Sequence, residues 1–175
     1  MSFSIEQYLL HAALRCGLRP TESAAYRLQL FLVANRDLGS RHHQNDFQRA
    51  LETAVDRKGL FANHEQRGSG EYKLTEVGFR TAMEQLGFIE QAYEPTLKNN
   101  FRASMTGKVG ATSVEILTRG TKSTVFFGGE RISSAKEACR RLEASAGVRL
   151  PTQDDSAVRV LQDFAIDRRF DIEFK

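Results

Sequence analysis

The C-terminal sequence FDIEFK contains the closest approach to a catalytic arrangement in this chain. Glu173 and Lys175 form an E-x-K pattern on a predicted strand, and such a carboxylate can hold Mg²⁺ for phosphodiester cleavage when an aspartate on a preceding strand completes the site. The candidate aspartates, Asp154, Asp155 and Asp163, fall instead in a predicted loop and a predicted helix. An amphipathic strand is therefore the preferred interpretation, and a Mg²⁺-dependent nuclease is the third of three functional alternatives.

A basic segment could contact phosphate groups. Lys98, Arg102 and Lys108 occur within eleven residues that contain no acidic side chain. The whole chain has a net charge of +3, and residues 1–92 hold equal numbers of basic and acidic side chains, so residues 93–175 carry the excess. Such segments bind phosphates in some proteins and are merely solvated in most. The arginine pairs later in the chain are further candidates for phosphate contacts: Arg140, Arg141, Arg168 and Arg169.

The histidines and cysteines do not have the spacing of metal ligands. His42 and His43 are adjacent, His64 is isolated, and neither Cys16 nor Cys139 belongs to a C-x-x-C pair. Zinc sites generally combine ligands at C-x₂₋₄-C or H-x₃₋₅-H spacing. We therefore expect structural thiols and solvated or phosphate-contacting histidines, with no metal or other cofactor.

The composition is that of an ordinary globular domain or pair of domains. The chain has 175 residues, of which 41% are hydrophobic and 27% are charged. Its longest apolar stretches, such as residues 28–34, are far shorter than the roughly 20 residues needed to cross a bilayer. The N-terminus resembles an amphipathic helix more than a signal peptide, so we expect a cytoplasmic protein without a membrane partner.

Apolar residues at helical spacing predict two helices near the N-terminus. The first runs from Phe3 to Cys16 and ends at Gly17, and the second opens at Pro20 and Thr21. No strand is visible between these two helices. The predicted apolar stripe of the second helix comprises Ala24, Leu28, Phe31 and Leu32.

A third helix has the most regular apolar spacing in the chain. Asn45 is its predicted N-cap, with Gln48 at capping-box spacing, and Gly59 is its predicted stop. The residues predicted to form its buried stripe are Phe47, Ala50, Leu51, Ala54 and Val55.

A hairpin and a fourth helix follow. Short strands are predicted near Leu60 and Leu74, joined by the turn EQRGSG. Thr75 is the predicted cap of the helix TEVGFRTAMEQLG, which ends at Gly87. The residues expected to be buried in this helix are Val77, Phe79 or Met83.

The pattern changes after residue 92, which divides the chain into three predicted regions. Residues 1–92 form one domain, 93–110 a linker or irregular entry, and 111–175 a small α+β domain. That last domain begins with a predicted hairpin, TSVEILTRG and TKSTVFFGG, and continues with a helix capped by Ser133 or Ser134 and stopped by Gly147. A helix over about residues 155–168 and a closing strand at FDIEFK complete it.

The block FQRALETAVDRKGLFANHEQRGSGEYKLTEVGFRTA resembles the winged helix-turn-helix superfamily. Many of these proteins similarly have a Leu-rich recognition helix, then GL and an apolar residue, a wing, and the pattern Y-x-L-T-x-x-G. The resemblance covers residues 1–88 and implies an α+β fold with a two-stranded wing, followed here by the small hairpin, two-helix and strand domain. The strand that usually lies between the first two helices is the missing part of the pattern.

The resemblance implies a DNA-binding role for particular residues. The third helix would present polar side chains to base edges, while neighbouring basic residues and the wing would contact phosphates. The residues expected to contact bases are Gln44, Asn45, Gln48 and Arg49. Those expected to contact phosphates are Arg41, His42, His43, Arg67, Lys73, Lys98, Arg102 and Lys108.

We therefore expect a non-enzymatic protein that binds duplex DNA, as a regulator or as a reader in a modification or defence system. The alternative is a winged-helix module that binds a protein partner or a second copy of itself, an alternative favoured by the neutral charge of the first half. In the second half, VFFGGERISSAKEACRRL resembles small modules attached to DNA-modification and restriction proteins, and this region could supply a second nucleic-acid contact or a dimerisation surface.

Overall fold

Two antiparallel sheets, of three and five strands, and six helices make up the described part of a computed structural model, so the predicted α+β class is confirmed. The chain divides into two units, Met1–Ala82 and Met83–Lys175, and the division falls within a helix, Glu76–Gln85. The structure describes residues 3–20, 24–39, 43–64, 70–91, 102–119, 122–147 and 156–169.

The first unit contains the helices and the hairpin predicted near the N-terminus. Its three strands form one antiparallel sheet in the order β1-β3-β2. The elements, in chain order, are α1 (Ile5–Arg15), β1 (Ala25–Tyr26), α2 (Arg27–Leu38), α3 (Gln44–Asp56), β2 (Phe61–Asn63), β3 (Glu71–Leu74) and α4 (Glu76–Gln85).

A strand lies between α1 and α2, so the expectation that none occurs there is wrong. β1 has two residues, which pair with β3 through Ala25 with Tyr72 and Tyr26 with Glu71. Two residues are too few to show the alternation by which a strand is recognised in a sequence. This pairing also delays the start of α2 to Arg27, several residues after the predicted start.

The face that α2 buries also differs from the predicted stripe. Leu28 and Leu32 are 54% and 62% exposed, while Leu30, Phe31 and Ala34 are buried. Both faces of this short helix carry apolar residues, so spacing did not decide which face points inward. In α4 the prediction that Val77, Phe79 or Met83 is buried is confirmed by Phe79 and Met83, whereas Val77 is 56% exposed.

The third helix is found where it was predicted, with a different cap. Its N-cap is His43 and not Asn45, and the helix begins at Gln44. His43 has extended backbone angles and makes no side-chain capping hydrogen bond. The predicted stripe is confirmed in its main members, because Phe47, Leu51 and Ala54 are buried.

Thr75 and Gly78 fasten α4 to the start of the hairpin. The Thr75 hydroxyl accepts a hydrogen bond from the Gly78 amide at 3.0 Å and lies 2.5 Å from the carbonyl oxygen of Gly59, to which it donates. The predicted capping role of Thr75 is confirmed. A Cβ atom at Gly78 would lie 2.0 Å from the carbonyl oxygen of Leu60, so this helical position has no room for a side chain.

A buried ion pair joins α1 to α2. Arg15 Nε lies 2.6 Å from Asp37 Oδ2, and the two side chains are 9% and 4% exposed. The exposed Arg36 is also within 3.6 Å of the carboxylate. The pKa of Tyr8 is raised, first by burial and then by the negative charge of Asp37.

The second unit is a five-stranded antiparallel meander with two helices. The strands follow one another in the order β4-β5-β6-β7-β8. The elements are β4 (Ile89–Gln91), β5 (Arg102–Val109), β6 (Thr112–Arg119), β7 (Lys122–Phe127), β8 (Glu130–Ile132), α5 (Ala135–Ala146) and α6 (Ala157–Arg169).

The predicted linker at residues 93–110 is wrong for its last part. Residues 102–109 form β5, which pairs with β6 over its whole length. Gly107 lies within this strand and against the Phe88 ring, where a Cβ would be 2.9 Å from a ring carbon. The hairpin predicted at residues 112–129 is confirmed as β6 and β7, whereas the predicted strand at 170–175 lies outside the described residues.

The helices α5 and α6 pack on each other and on one face of this sheet. Ser134 caps α5 by accepting a hydrogen bond from the Glu137 amide at 3.2 Å, and Gly147 ends the helix at a φ of 68°, both as predicted. Cys139 is buried in α5, and burial raises the pKa of its thiol. Among the described helices, none has the length and apolar character needed to cross a membrane.

Replacing Gly78 with alanine is expected to destabilise the protein. In an exposed helix this change stabilises by about 1 kcal/mol, but the close Leu60 carbonyl should reverse the sign and cost about 1–3 kcal/mol. Urea denaturation followed by circular dichroism measures the difference. Glu84→Ala, at an exposed position of the same helix, should change the free energy of unfolding by less than about 0.5 kcal/mol. A more stable Gly78→Ala variant would contradict the close approach.

Removing the carboxylate of Asp37 should leave Arg15 buried without this partner. Asp37→Ala is expected to lower the free energy of unfolding by about 3 kcal/mol, as for other broken buried pairs. The matched control is Glu76→Ala, which breaks an exposed i,i+4 pair with Arg80 and should cost no more than about 0.5 kcal/mol. Equal losses in the two variants would show that the Arg15–Asp37 pair is not effectively buried.

Candidate nucleic-acid interface

The third helix is held by one apolar face, which leaves the opposite face outward. Phe47 stacks on Phe31 of α2, with ring centroids 5.4 Å apart and planes inclined by 25°. Leu51 and Ala54 continue the buried face one and two turns later. These contacts fix the rotation of α3 about its axis, and thereby decide which polar side chains reach solvent.

The exposed residues near the start of α3 are those predicted to contact DNA. His43, Gln44, Asn45 and Arg49 are all exposed, and they occupy the cap and the first two turns. Amide side chains can pair with adenine and arginine with guanine, and the N-terminal part of a recognition helix is the part that meets base edges in helix-turn-helix proteins. The structure thus brings these four predicted residues to one end of one helix.

Gln48, one of the residues predicted to contact bases, makes side-chain hydrogen bonds within the protein. It is half-buried, and its amide oxygen accepts a hydrogen bond from Arg27 Nη1 at 3.0 Å. Its amide nitrogen donates to Glu52 Oε1 at 2.7 Å. Both ends of the amide are therefore engaged within the protein, and Gln48 serves to connect α2 with α3.

Arg27 is a further candidate for contact with DNA, and it was not predicted from the sequence. It is the first residue of α2, and its backbone amide donates to the carbonyl oxygen of Gly70 at 2.7 Å. Its exposed side chain reaches α3 through Gln48. Only the pairing of β1 with β3 brings Arg27 to this place, and a pairing between residues so far apart leaves no local signal in the sequence.

A cleft of about 330 Å³ lies between α2, α3 and the sheet of the first unit. Arg27 lines one side of it, while Glu52 and Asp56 of α3 and Tyr72 of β3 line others. The two carboxylates make the C-terminal half of α3 acidic. A polyanion is therefore better accommodated at the N-terminal half, where Arg49 lies and only Asp46 is acidic.

The remaining residues predicted for this interface are only partly described. Lys73 is half-buried on β3, where it pairs in register with Ala62 of β2. The two strands of the predicted wing are thus present. Four other predicted phosphate contacts lie outside the described residues: Arg41, His42, Arg67 and Lys98.

Two predicted residues belong to the second unit, on β5. Arg102 is half-buried at the start of this strand and Lys108 is exposed near its end. They lie on an ordered strand and not on a linker, so the sheet fixes the direction of their side chains. On the neighbouring strand β6, Arg119 lies opposite Arg102 and Ser113 lies opposite Lys108.

The arginines of α5 are compensated within the protein. Arg140 lies 2.5 Å from a Glu137 oxygen, and Arg141 forms ion pairs with both Glu130 and Glu137. The pKa of Glu137 is lowered by the hydrogen bond from Arg140 and then by that from Arg141. In α6, Arg168 lies over the Phe164 ring, 5.4 Å from its centroid. These arginines are weaker candidates for phosphate contacts than their charge suggests.

Comparison of the chain with protein-family models, curated proteins and solved structures found no match. Its function must therefore be inferred from its own residues. In the first unit these are the exposed polar side chains at the start of α3, the strand pair β2 and β3, and the added contact from Arg27.

Proposed function

We propose that the first unit is a winged helix-turn-helix domain that binds duplex DNA without catalysing a reaction. The N-terminal half of α3 would enter the major groove, and the β2–β3 hairpin would act as the wing. One observation carries the proposal: His43, Gln44, Asn45 and Arg49 are exposed together on a helix that is fixed by its opposite face and followed directly by a hairpin.

The order of elements supports the winged-helix part of the proposal. The pattern expects a short strand between the first two helices, and β1 occupies that position and pairs with β3 of the hairpin. The motif L-T-x-x-G has a physical basis here, because Thr75 caps α4 and Gly78 permits the contact with Leu60. These features join the hairpin to the helices on both of its sides.

The size and chemistry of α3 suit the major groove. The groove is about 12 Å wide and admits one helix, and its base edges offer distinct patterns of donors and acceptors. Asn45 and Arg49 are four residues apart, so they project from the same side of the helix on successive turns. Asn45 would therefore read adenine and Arg49 guanine on nearby base pairs, with His43 close to the phosphate backbone.

Electrostatics set the expected strength of binding. The first unit, residues 1–82, carries 11 basic and nine acidic side chains, and Glu52 and Asp56 lie farther along α3. Few phosphates can be neutralised by such a surface, so non-specific affinity from this unit alone should be low. Base contacts would then contribute most of its sequence preference. A regulator, or a reader of a particular sequence or base modification, would fit this balance.

An exposed apolar group favours protein binding as the second candidate function. Tyr26, Leu28 and Leu32 are 61%, 54% and 62% exposed, and the two leucines lie one turn apart on α2. A partner that covered them would bury a continuous apolar strip. If this is the main function, Leu28→Glu with Leu32→Glu should abolish a stable association and leave DNA affinity unchanged.

Nuclease activity is the third alternative. It depends on Glu173 and Lys175, both outside the described residues. Cleavage of duplex DNA in Mg²⁺ or Mn²⁺ that disappears with EDTA and with Glu173→Ala would establish it. The absence of cleavage under both metals would remove it.

The DNA-binding proposal predicts that Arg49→Ala weakens binding to the preferred duplex roughly tenfold, because a base contact by arginine is worth about 1–3 kcal/mol. Asn45→Ala should weaken it less and relax preference at one base pair. Fluorescence anisotropy with a selected duplex and a scrambled duplex at fixed salt gives both values.

The matched control for this measurement is Arg57→Ala. Arg57 is also exposed and follows α3, but it lies at the opposite end of the helix. Its removal should change affinity by less than threefold. The proposal fails if pooled duplexes, methylated ones included, show no binding at low salt, or if Arg49→Ala and Arg57→Ala have the same small effect.

A further inference from the structure

The five-stranded sheet of the second unit has one face packed against α5 and α6 and an opposite face that neither of these helices covers. On β5 the residues Ala103 and Met105 are buried on the side of α5 and α6, as are Ile116 of β6 and Val125 of β7. The residues between them point to the opposite side, and none of those that the structure describes is buried. We call this second side the open face.

Three cations stand side by side at one end of the open face. Arg102 pairs in register with Arg119, and Arg119 pairs in register with Lys122, on three neighbouring strands. Adjacent strands are about 4.8 Å apart, and like charges placed directly opposite each other destabilise a sheet. Among the described ion pairs of the unit, none involves these three side chains. The arrangement is unfavourable for the isolated fold and would be relieved by an anion.

A fourth cation stands across the same face. Arg131 of β8 pairs in register with Phe126 of β7. At about 3.3 Å per residue, the four-residue step from Lys122 to Phe126 separates the row of three cations from the level of Arg131 by about 13 Å. This is close to the width of about 12 Å that separates the phosphate backbones across the major groove of DNA.

The strip between the row of three cations and the level of Arg131 carries both an apolar and a hydroxyl side chain. Leu117 and Thr124 face each other there, and together with Phe126 and three of the cations (Arg119, Lys122 and Arg131) they line a depression of about 390 Å³. On the described part of the open face the one carboxylate is Glu115, which accepts a hydrogen bond from the Ser104 hydroxyl at 2.9 Å. Hydroxyl and methyl groups of this kind can contact base edges, whereas the flanking arginines and lysine match phosphates.

We propose that the open face is a second DNA-binding surface, seated on the major groove of a duplex. Arg102, Arg119 and Lys122 would contact the phosphates of one strand, and Arg131 those of the other. Sheet and ribbon elements enter grooves in several classes of DNA-binding protein. A duplex is favoured over a single strand, because Arg131 stands apart from the row of three cations and the described part of the face carries one half-buried aromatic ring, too few for a series of stacked bases. The site belongs to the second unit, so it does not depend on α3.

The test uses the full chain and removes two cations from the open face. Arg119→Ala with Lys122→Ala should reduce duplex affinity at least tenfold near 0.1 M salt. The slope of log K against log salt should become shallower by about 1.8, because each lost phosphate contact accounts for about 0.9. Anisotropy titrations at several salt concentrations with pooled duplexes measure both effects, and circular dichroism verifies that the variant is folded.

The matched control also removes two positive charges from the second unit, but takes them from helix α5 and not from the open face. Lys136→Ala with Arg140→Ala, both exposed on α5, should leave affinity within twofold and the slope nearly unchanged. If both double variants lose binding equally, net charge alone is responsible and the proposed surface is overturned. It is also overturned if a single-stranded RNA or DNA oligomer competes better than the duplex.

Measuring the duplex affinity of Arg49→Ala in the same titrations distinguishes the open-face proposal from the proposal that α3 binds DNA. Loss of binding in Arg49→Ala with none in the sheet variant contradicts the open-face site and leaves the α3 proposal standing. Loss in the sheet variant alone supports the open face and contradicts the role of α3. Losses in both variants support both surfaces, and binding unaffected by either substitution contradicts both.

Discussion

The carbonyl oxygen of Leu60 is the point on which the arrangement of the first unit depends. It accepts a hydrogen bond from the Thr75 amide at 3.1 Å and lies 3.0 Å from the Thr75 hydroxyl, whose single hydrogen it shares with the nearer carbonyl oxygen of Gly59, and the Gly78 backbone lies against it. Because Leu60 follows α3 and Thr75 precedes α4, this one oxygen joins the end of α3, the base of the hairpin and the beginning of α4. A side chain at position 78 would force these three elements apart.

The local parts of this arrangement could be predicted from the sequence. Thr75 and Ser134 cap their helices because a hydroxyl just before a helix can accept a hydrogen bond from an amide of the first turn. In both cases that amide lies three residues later in the chain. The third helix and the β6–β7 hairpin were found because their apolar periods are regular. In each of these cases the signal and the structure span the same few residues.

The parts that were missed depend on contacts between distant residues. β1 is a strand only because Ala25 and Tyr26 meet β3, and this pairing also brings Arg27 beside Gln48. A glycine such as Gly107 is common in linkers, but in β5 it leaves room for the ring of Phe88, which a Cβ at this position would approach to 2.9 Å. For the candidate site, the sequence therefore identified the exposed residues of α3 but neither the engagement of Gln48 nor the row of cations that β5, β6 and β7 form across the sheet.

The two units distribute charge in different ways, and this difference bears on the proposed activity. In the first unit Arg15 of α1 is paired with Asp37, and the N-terminal half of α3 holds one exposed arginine, Arg49. In the second unit the helix arginines are paired with glutamates, while those of the open face are not paired with described residues. A surface with few charges discriminates bases but binds weakly, whereas a cationic sheet binds phosphates with little discrimination.

A chain that carries both kinds of surface can combine them through its covalent connection. When one surface holds a duplex, the other meets that duplex at an effective concentration that is commonly millimolar for short connections, provided that both can engage it together. Two individually weak contacts then give useful affinity without an extensive basic surface on the first unit. The net charge of each unit is small, +2 for residues 1–82 and +1 for residues 83–175, so DNA binding by either unit depends on where its cations lie and on the joint action of the two surfaces.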